Sequence, residues 1–368
     1  MGRIDIEALE EEWDEDEQAP RPRSRTPQPG EPDAPVGRVV GLHKGWVEVV
    51  VDGEEHSAVY GGAMRGEQVV VGDRALVRLP RHETDTARIV ARLDRETVLL
   101  RTADDTVAEE RVVVANADLV VVVVAADELD RGARFADRVL VAAEAGGLEG
   151  ALCVNKVDVV GASDGLEGAL CVNKVDVVGA SGRARDTDRD TTTVEARYEA
   201  AGYRVVETSA KTGDGMDDLR GLLEDRWTVL SGHSGVGKSS LFNRLVPGAG
   251  RRVAELGRFG GRHTTVSALA MAIPGVDEGW LVDTPGVRSF GIAHVAPEDL
   301  AQCFPELRGV DCELPGCLHD GEPGCAVPGL VGERIPPERH ESYLRFLRVL
   351  RGVEPDTGAD DPGPAGTE

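Results

Sequence analysis

No run of this chain is apolar enough to cross a bilayer, which takes about 20 consecutive apolar residues. The longest, Leu119 to Ala126, lies between Asp118 and Asp127 and suits a strand buried on both faces. A charged-then-apolar leader is lacking too: the first residues are acidic, so the expected compartment is the cytoplasm. Cysteine is scarce. Six in 368 residues, with no export signal, argue against a disulfide framework and for metal binding or plain burial. Positive charge is also in the minority, with 41 Lys and Arg against 66 Asp and Glu and a formal net charge of −25. That balance at first argues against a nucleic-acid partner. Its distribution weakens the objection, because residues 1–35 hold 11 acids and 4 bases, and residues 352–368 hold 5 acids and no base. Residues 36–96 are close to neutral, with Arg38, Lys44, Arg65, Arg78 and Arg81 available to one face. Charge alone neither supports nor forbids RNA binding.

What is present divides the chain into parts. Its length predicts two or three compact units, and 41% apolar residues are enough for real cores. Residues 1–35 join an acidic run to six prolines and read as a disordered arm, and residues 352–368 read as a disordered tail. In residues 36–96, short β segments (Val39-Val40, Trp46 to Val51, Glu67 to Val71, Ala75 to Leu79) are punctuated by Asp52-Gly53, Gly61-Gly62 and Gly72-Asp73. Five strands in about sixty residues suit an OB-fold, the plainer alternative being any small β-barrel acting as a spacer. Residues 97–294 alternate apolar strands with helical stretches, the βαβ rhythm of a parallel sheet covered by helices. Residues 295–351 carry a cysteine cluster followed by a helical pattern from Tyr343 to Arg351.

One internal repeat stands out. Residues 147–163 recur unchanged at 165–181, an offset of 18. Repeat folds diverge between units and need at least three, so a recent tandem duplication is the simpler account. Only one copy can occupy a single strand slot. We place the first copy there, because it follows the preceding helix with a short link and the extra residues then only lengthen a polar loop. The alternative is an insertion between helix and strand.

The chemistry lies in four motifs. Gly232-His-Ser234-Gly235-Val236-Gly237-Lys238-Ser239 matches G-x-x-x-x-G-K-[ST], follows an apolar strand and opens a helix at Ser240. Its backbone N–H groups and the helix dipole suit phosphates, Lys238 suits the β- and γ-phosphates, and Ser239 suits Mg²⁺. Asp283-Thr-Pro-Gly286 ends another apolar strand; Asp283 can hold Mg²⁺ through water and the Gly286 N–H can sense the γ-phosphate. Asn155-Lys156-Val-Asp158, with its copy Asn173-Lys174-Val-Asp176, ends a strand as well. An aspartate there accepts hydrogen bonds from the guanine N1–H and exocyclic amine, a pair that adenine does not offer. Ser209-Ala210-Lys211 fits the companion loop that meets the guanine O6. Each tetrapeptide alone is an ordinary turn; together they specify guanine. The fourth, Cys312-x4-Cys317-x-His319-x5-Cys325, offers three sulfurs and one imidazole, the donor set of a structural zinc site. Cys303, Cys153 and Cys171 have no such company and read as small buried residues.

The order of these motifs is permuted, with N-K-x-D and S-A-K before the P-loop and D-x-x-G last. In this the chain resembles the ribosome small subunit-dependent GTPase A family of bacteria, over about residues 36–350. The resemblance implies a multidomain protein: an N-terminal OB-fold, a central permuted α/β P-loop GTPase and a C-terminal α-helical zinc-binding domain. It implies GTP hydrolysis stimulated by the 30S subunit, contact with 16S rRNA, and a part in late maturation of that particle by a monomer. It also makes Gly261-Arg-His263-Thr264-Thr265 the switch loop, with Thr265 as the Mg²⁺ ligand and Thr264 beside the nucleotide. Val266 stands where the family has a third threonine, and Val287 where many GTPases carry a water-positioning glutamine. Intrinsic hydrolysis is therefore expected to be slow, with His263 the candidate for orienting water and mere packing of the switch the equal alternative. The permutation leaves D-x-x-G next in sequence to the zinc module, so a shift of that loop is expected to move the module. Two rivals stand beside this: a permuted GTPase acting on another RNA or particle, and a nucleotide-gated scaffold with little turnover.

Overall fold

Alternation builds the N-terminal barrel. In the computed structural model, which describes residues 34–80, 82, 85–104, 107–160, 193–249, 268–284, 290 and 292–354, strand β2 (Trp46–Val51) buries every second residue. It joins β3 (Glu54–Tyr60) through Asp52-Gly53, both at positive φ, the geometry a two-residue hairpin needs. With β1 (Val36–Leu42), β4 (Arg74–Arg78) and β5 (Ala87–Arg92) the pairing order is β1-β2-β3-β5-β4. β4 returns to β1 at Val36↔Leu76, which closes the barrel around Val39, Val49, Ala58, Val77 and Ile89. The closed five-strand barrel agrees with the OB-fold reading, but β3 and β5 were not among the expected segments, and one expected segment is no strand. Glu67 to Val71 is not a strand: only Val71 bridges, to Val114, while the Val70 amide donates to the Asp73 carboxylate. The slot belongs to Glu54–Tyr60, which shows no apolar alternation because most of its side chains are at least partly exposed. A hairpin of β6 (Val98–Asp104) and β7 (Val107–Ala115) then leads out of the barrel, and no motif announced it.

The central sheet is organised by β8 (Leu119–Ala125), whose seven residues are all buried. Val120, Val122 and Val124 point into one core, Leu119, Val121 and Val123 into the other, the period-two consequence of a strand covered on both faces. Helix α1 (Leu129–Ala145) returns the chain to β9 (Glu149–Asn155), which pairs in parallel with β8 from Leu119↔Glu149 to Ala125↔Asn155. The first copy of the duplicated segment thus fills the strand slot; the second lies outside the described residues. The link is short because Gly147, at φ +80°, ends α1 while the Leu148 amide donates back to Ala143. A short helix α2 (Val157–Val160) follows, then α3 (Val194–Ala200), β10 (Arg204–Glu207), α4 (Met216–Leu223), β11 (Trp227–Ser231) and α5 (Lys238–Leu245). β12 (Leu269–Ala272) and β13 (Trp280–Asp283) complete the order β10-β9-β8-β11-β13-β12. All are parallel except β12, which pairs antiparallel with β13 and joins the barrel at Gly41↔Leu269. The parallel strands end at one edge of the sheet, where such folds bind ligands.

After β13 the chain forms short 3-10 turns and then α6 (Pro337–Leu350). Tyr343, Phe346 and Leu347 of α6 are buried, and Phe304 packs edge-on against Tyr343 at 5.3 Å. Arg339 is also buried. It donates to Asp137 of α1 (2.6 Å) and Glu306 (2.7 Å), while Asp137 further accepts from Tyr198 and Ser342. Burial opposes the guanidinium charge, but the two carboxylates outweigh it and hold its pKa well above the ordinary value. Arg339→Met leaves two buried acids without their cation. We expect it to destabilise the protein by about 3–5 kcal/mol, read as a lower urea midpoint at unchanged slope.

Candidate functional site

Four strand ends supply the site. β11 stops at Ser231 and the chain turns through Gly232 to Gly237 before α5 begins. Gly237 caps that helix at φ +97°, where a Cβ would lie 2.2 Å from Asn155 Nδ2; at Gly232, φ +148°, it would meet the Val123 carbonyl at 2.3 Å. Only glycine fits either place. Val236 is buried, whereas Ser234, Gly235, Ser239 and Ser240 are exposed around the loop and first turn. Lys238 folds over the loop, its ammonium donating to the carbonyls of Gly232 (2.5 Å) and His233 (2.6 Å). Burial lowers its pKa, opposed by the charge of Asp283. Asp283 itself, at the end of β13, is raised by burial, with Lys238 and the Thr284 amide pulling the other way.

β9 ends on Asn155, whose side chain is buried and makes the central contact. Its Nδ2 donates to the Val236 carbonyl at 2.9 Å, and its Oδ1 accepts from the Ala210 amide (3.1 Å) and the Thr208 hydroxyl (3.3 Å). One carboxamide thus ties together three loops that lie up to 81 residues apart. Lys156 follows in the left-handed region, φ +65°. Asp158 accepts from the Ser209 hydroxyl at 2.7 Å, and Lys211 lies 3.4 Å from its other oxygen. The Ser209 bond, outweighing burial, and Lys211 keep the Asp158 carboxyl below its ordinary pKa, so it stays ionised at neutral pH. Two contributors had no sequence signal. Thr208, next after β10, bonds Asn155 through its hydroxyl, and Arg244 of α5, 34 residues from Ala210, donates to its carbonyl at 3.2 Å. The expected residues His263, Thr264, Thr265, Gly286, Asn173, Lys174 and Asp176 lie outside the described residues.

Comparison with known proteins fits this geometry. The RsgA GTPase family model matches residues 92–168 and 160–293, two stretches that meet at the junction of the duplicated copies. A small ribosomal subunit biogenesis GTPase RsgA of Gemmatimonas aurantiaca is 36% identical over 317 residues, covering 83% of this chain and 94% of that protein. The chain belongs to the RsgA GTPase family. A second RsgA, of Bacteroides fragilis, is 33% identical over 76% of this chain and 83% of its own length. The crystal structure of YjeQ from Thermotoga maritima aligns with a TM-score of 0.63 at 29% identity, covering 86% of this chain and 99% of that one. YloQ, described as a circularly permuted GTPase, shares the fold at the same TM-score and 22% identity over 90% of this chain and 99% of its own.

This RsgA-family chain has a second cluster, in the turns before α6. The ligand atoms of Cys312, Cys317, His319 and Cys325 all lie within 4.8 Å of one another. In a tetrahedral zinc site, Zn–S of about 2.3 Å and Zn–N of about 2.0–2.1 Å put sulfur and nitrogen about 3.6 Å apart. Cys312 and Cys325 Sγ lie 3.5 and 3.7 Å from His319 Nδ1, so the donors fit, and the cluster can hold a metal such as zinc. Glu322 pins the turn by accepting from the Leu318 and Asp320 amides. The following helix packs on this loop: Tyr343 donates to the Leu318 carbonyl at 2.6 Å and Arg351 to Asp320 at 2.6 Å. Among the described residues no helix is long and apolar enough to cross a membrane.

Proposed function

We propose that the chain binds GTP at the strand-end edge of the central sheet, hydrolyses it to GDP and phosphate, and acts in assembly of the small ribosomal subunit. The Asn155 carboxamide carries the reading. It joins the phosphate loop to both loops suited to guanine, so base and phosphate recognition share one framework. Asp158 reads the guanine N1–H and amine. Asn155, Lys156 and Ser209 to Lys211 shape the base pocket, and Gly232 to Ser240, with Thr264, wrap the phosphates. Lys238, desolvated beside Asp283, moves onto the β- and γ-phosphates, which replace the two carbonyls it now contacts. The Ser239 hydroxyl, the Asp283 carboxylate and Thr265 would hold Mg²⁺, which neutralises charge developing on the transferred phosphoryl group. Gly286 senses the γ-phosphate and His263 orients water, a task that Val287 leaves open. Cys312, Cys317, His319 and Cys325 would hold one structural zinc.

The relatives' name supplies the particle. A barrel of OB topology favours 16S rRNA within the 30S subunit as the contact. The same reading makes the protein a cytoplasmic monomer with borders near residues 36, 97, 295 and 352. The test is phosphate release with and without purified 30S particles. We expect slow release from GTP alone and at least tenfold faster release with 30S. No release from GTP in either case overturns the reading, and unstimulated release favours action on another particle.

A further inference from the structure

The loop suited to the guanine O6 is held from two elements. At the end of β9, Asn155 accepts from the Ala210 amide and Asp158 from the Ser209 hydroxyl. From α5, Arg244 donates to the Ala210 carbonyl at 3.2 Å and to the Thr212 carbonyl at 3.5 Å. Its guanidinium lies so close to the chain at Gly213, φ +100°, that a Cβ there would sit 2.3 Å from Nη2. Only glycine leaves room for that fork. Arg244 stands in the last turn of α5, the helix that the phosphate loop opens, so one helix serves the phosphate loop at its start and grips the base loop at its end. Arg220 of α4 lies beside it but bonds other carbonyls, those of Arg244 (3.3 Å) and Pro274 (3.4 Å). One donor of the base loop is left over: among the described residues, the Lys211 amide has no hydrogen-bond partner.

We infer that Arg244 is a positioning residue for guanine recognition, which orients the peptide between Ala210 and Lys211 so that the Lys211 N–H donates to the guanine O6. This rests on the GTP-binding reading given above. A trans peptide is planar, with its carbonyl and its N–H on opposite sides. Holding the Ala210 carbonyl at α5 therefore turns the Lys211 N–H away from that helix and fixes its direction. The Ala210 amide is already engaged by Asn155, which leaves the Lys211 amide to meet the base. Without Arg244 this peptide has more orientations to sample, and binding the base must then meet the entropy of ordering it. Arg244 is exposed, so water weakens its two hydrogen bonds and the effect is moderate.

The predicted signature is a loss confined to ligands that carry O6, read by competition against a fluorescent GDP. Arg244→Met keeps the aliphatic stem but removes the fork. It should weaken GDP about fivefold, and inosine diphosphate, which also carries O6, by the same factor. 6-Thioguanosine diphosphate carries sulfur there, a weak acceptor, so its affinity should change by about twofold or less. Arg220→Met, which removes a neighbouring arginine that does not bond the loop, should leave all three ligands within about twofold. Should Arg244→Met fail to fold, judged by its circular dichroism and melting, Arg244→Gln gives the same test. Unchanged GDP affinity in a folded variant shows that the loop needs no hold from α5, and an equal loss for the thio analogue shows that Arg244 serves the fold alone; either overturns the inference. If the unaltered protein binds no guanine nucleotide under the same conditions, the GTP-binding reading falls and this inference with it.

Discussion

Asp158→Asn is expected to turn a guanine reader into a xanthine reader. An ionised carboxylate accepts from both guanine donors, and the Ser209 hydroxyl and Lys211 keep Asp158 ionised while leaving lone pairs for the base. Asparagine offers one acceptor and one donor. Its amide would face the guanine amine donor to donor, but it matches xanthine, which has a carbonyl at that carbon. Charge-assisted hydrogen bonds contribute about 1.5–3 kcal/mol each, so losing the pair should weaken GTP binding about a hundredfold or more, while XTP affinity rises. The duplication supplies a built-in control. β9 uses the first copy along seven registered pairs with β8, and Leu148 is tied back to the end of α1. Asp176→Ala should therefore leave GTP affinity within about twofold, where Asp158→Ala abolishes most of it. Titration of a fluorescent guanine nucleotide against the two variants reads this directly. Equal losses would mean that the second copy competes for the strand slot.

The other large effect concerns the Cys/His cluster. Thiols brought within 4.8 Å of an imidazole in a turn-rich segment have little apolar material of their own to hold them. The metal's binding free energy is then the segment's folding free energy, about 10–16 kcal/mol in isolated zinc-finger peptides. The segment does not stand alone: Tyr343 braces Leu318, and Arg339 locks α6 to α1. We expect Cys325→Ser to abolish bound zinc, from one atom per chain to none, and to lower the melting temperature by about 10 °C or more. GDP affinity should survive, because among the described residues the hydrogen bonds of these four ligands stay within their own turns. Zinc content by atomic emission and melting by calorimetry check both halves. A variant that keeps full zinc and full stability would show that these four residues do not form the site.

Much of this was legible because chemistry imposes short-range patterns. The phosphate loop, N-K-x-D, S-A-K and the Cys/His spacing are each local, and all that fall within the described residues occupy the turns expected of them. β8 was legible from its unbroken apolar run, and the sheet from the rhythm around it. Glu54–Tyr60 was not, since a strand of the small barrel with exposed polar residues carries no alternation, while the apolar Glu67 to Val71 looked more strand-like than it is. The missed site residues fail for another reason. Arg244 reaches Ala210, and Asn155 reaches Val236, across separations of 34 and 81 residues, and no local pattern encodes such contacts. The Arg339–Asp137–Glu306 cluster is the extreme case, pairing residues 202 apart whose charges look like ordinary surface residues in the sequence.

The most direct measurement is competition for a bound fluorescent GDP by unlabelled nucleotides in the presence of Mg²⁺. If Asn155 does join a guanine pocket to a phosphate loop, GTP and GDP displace the probe at micromolar concentrations, and ATP fails at a thousandfold excess. Displacement by ATP and GTP alike, or no binding of the probe, contradicts the account.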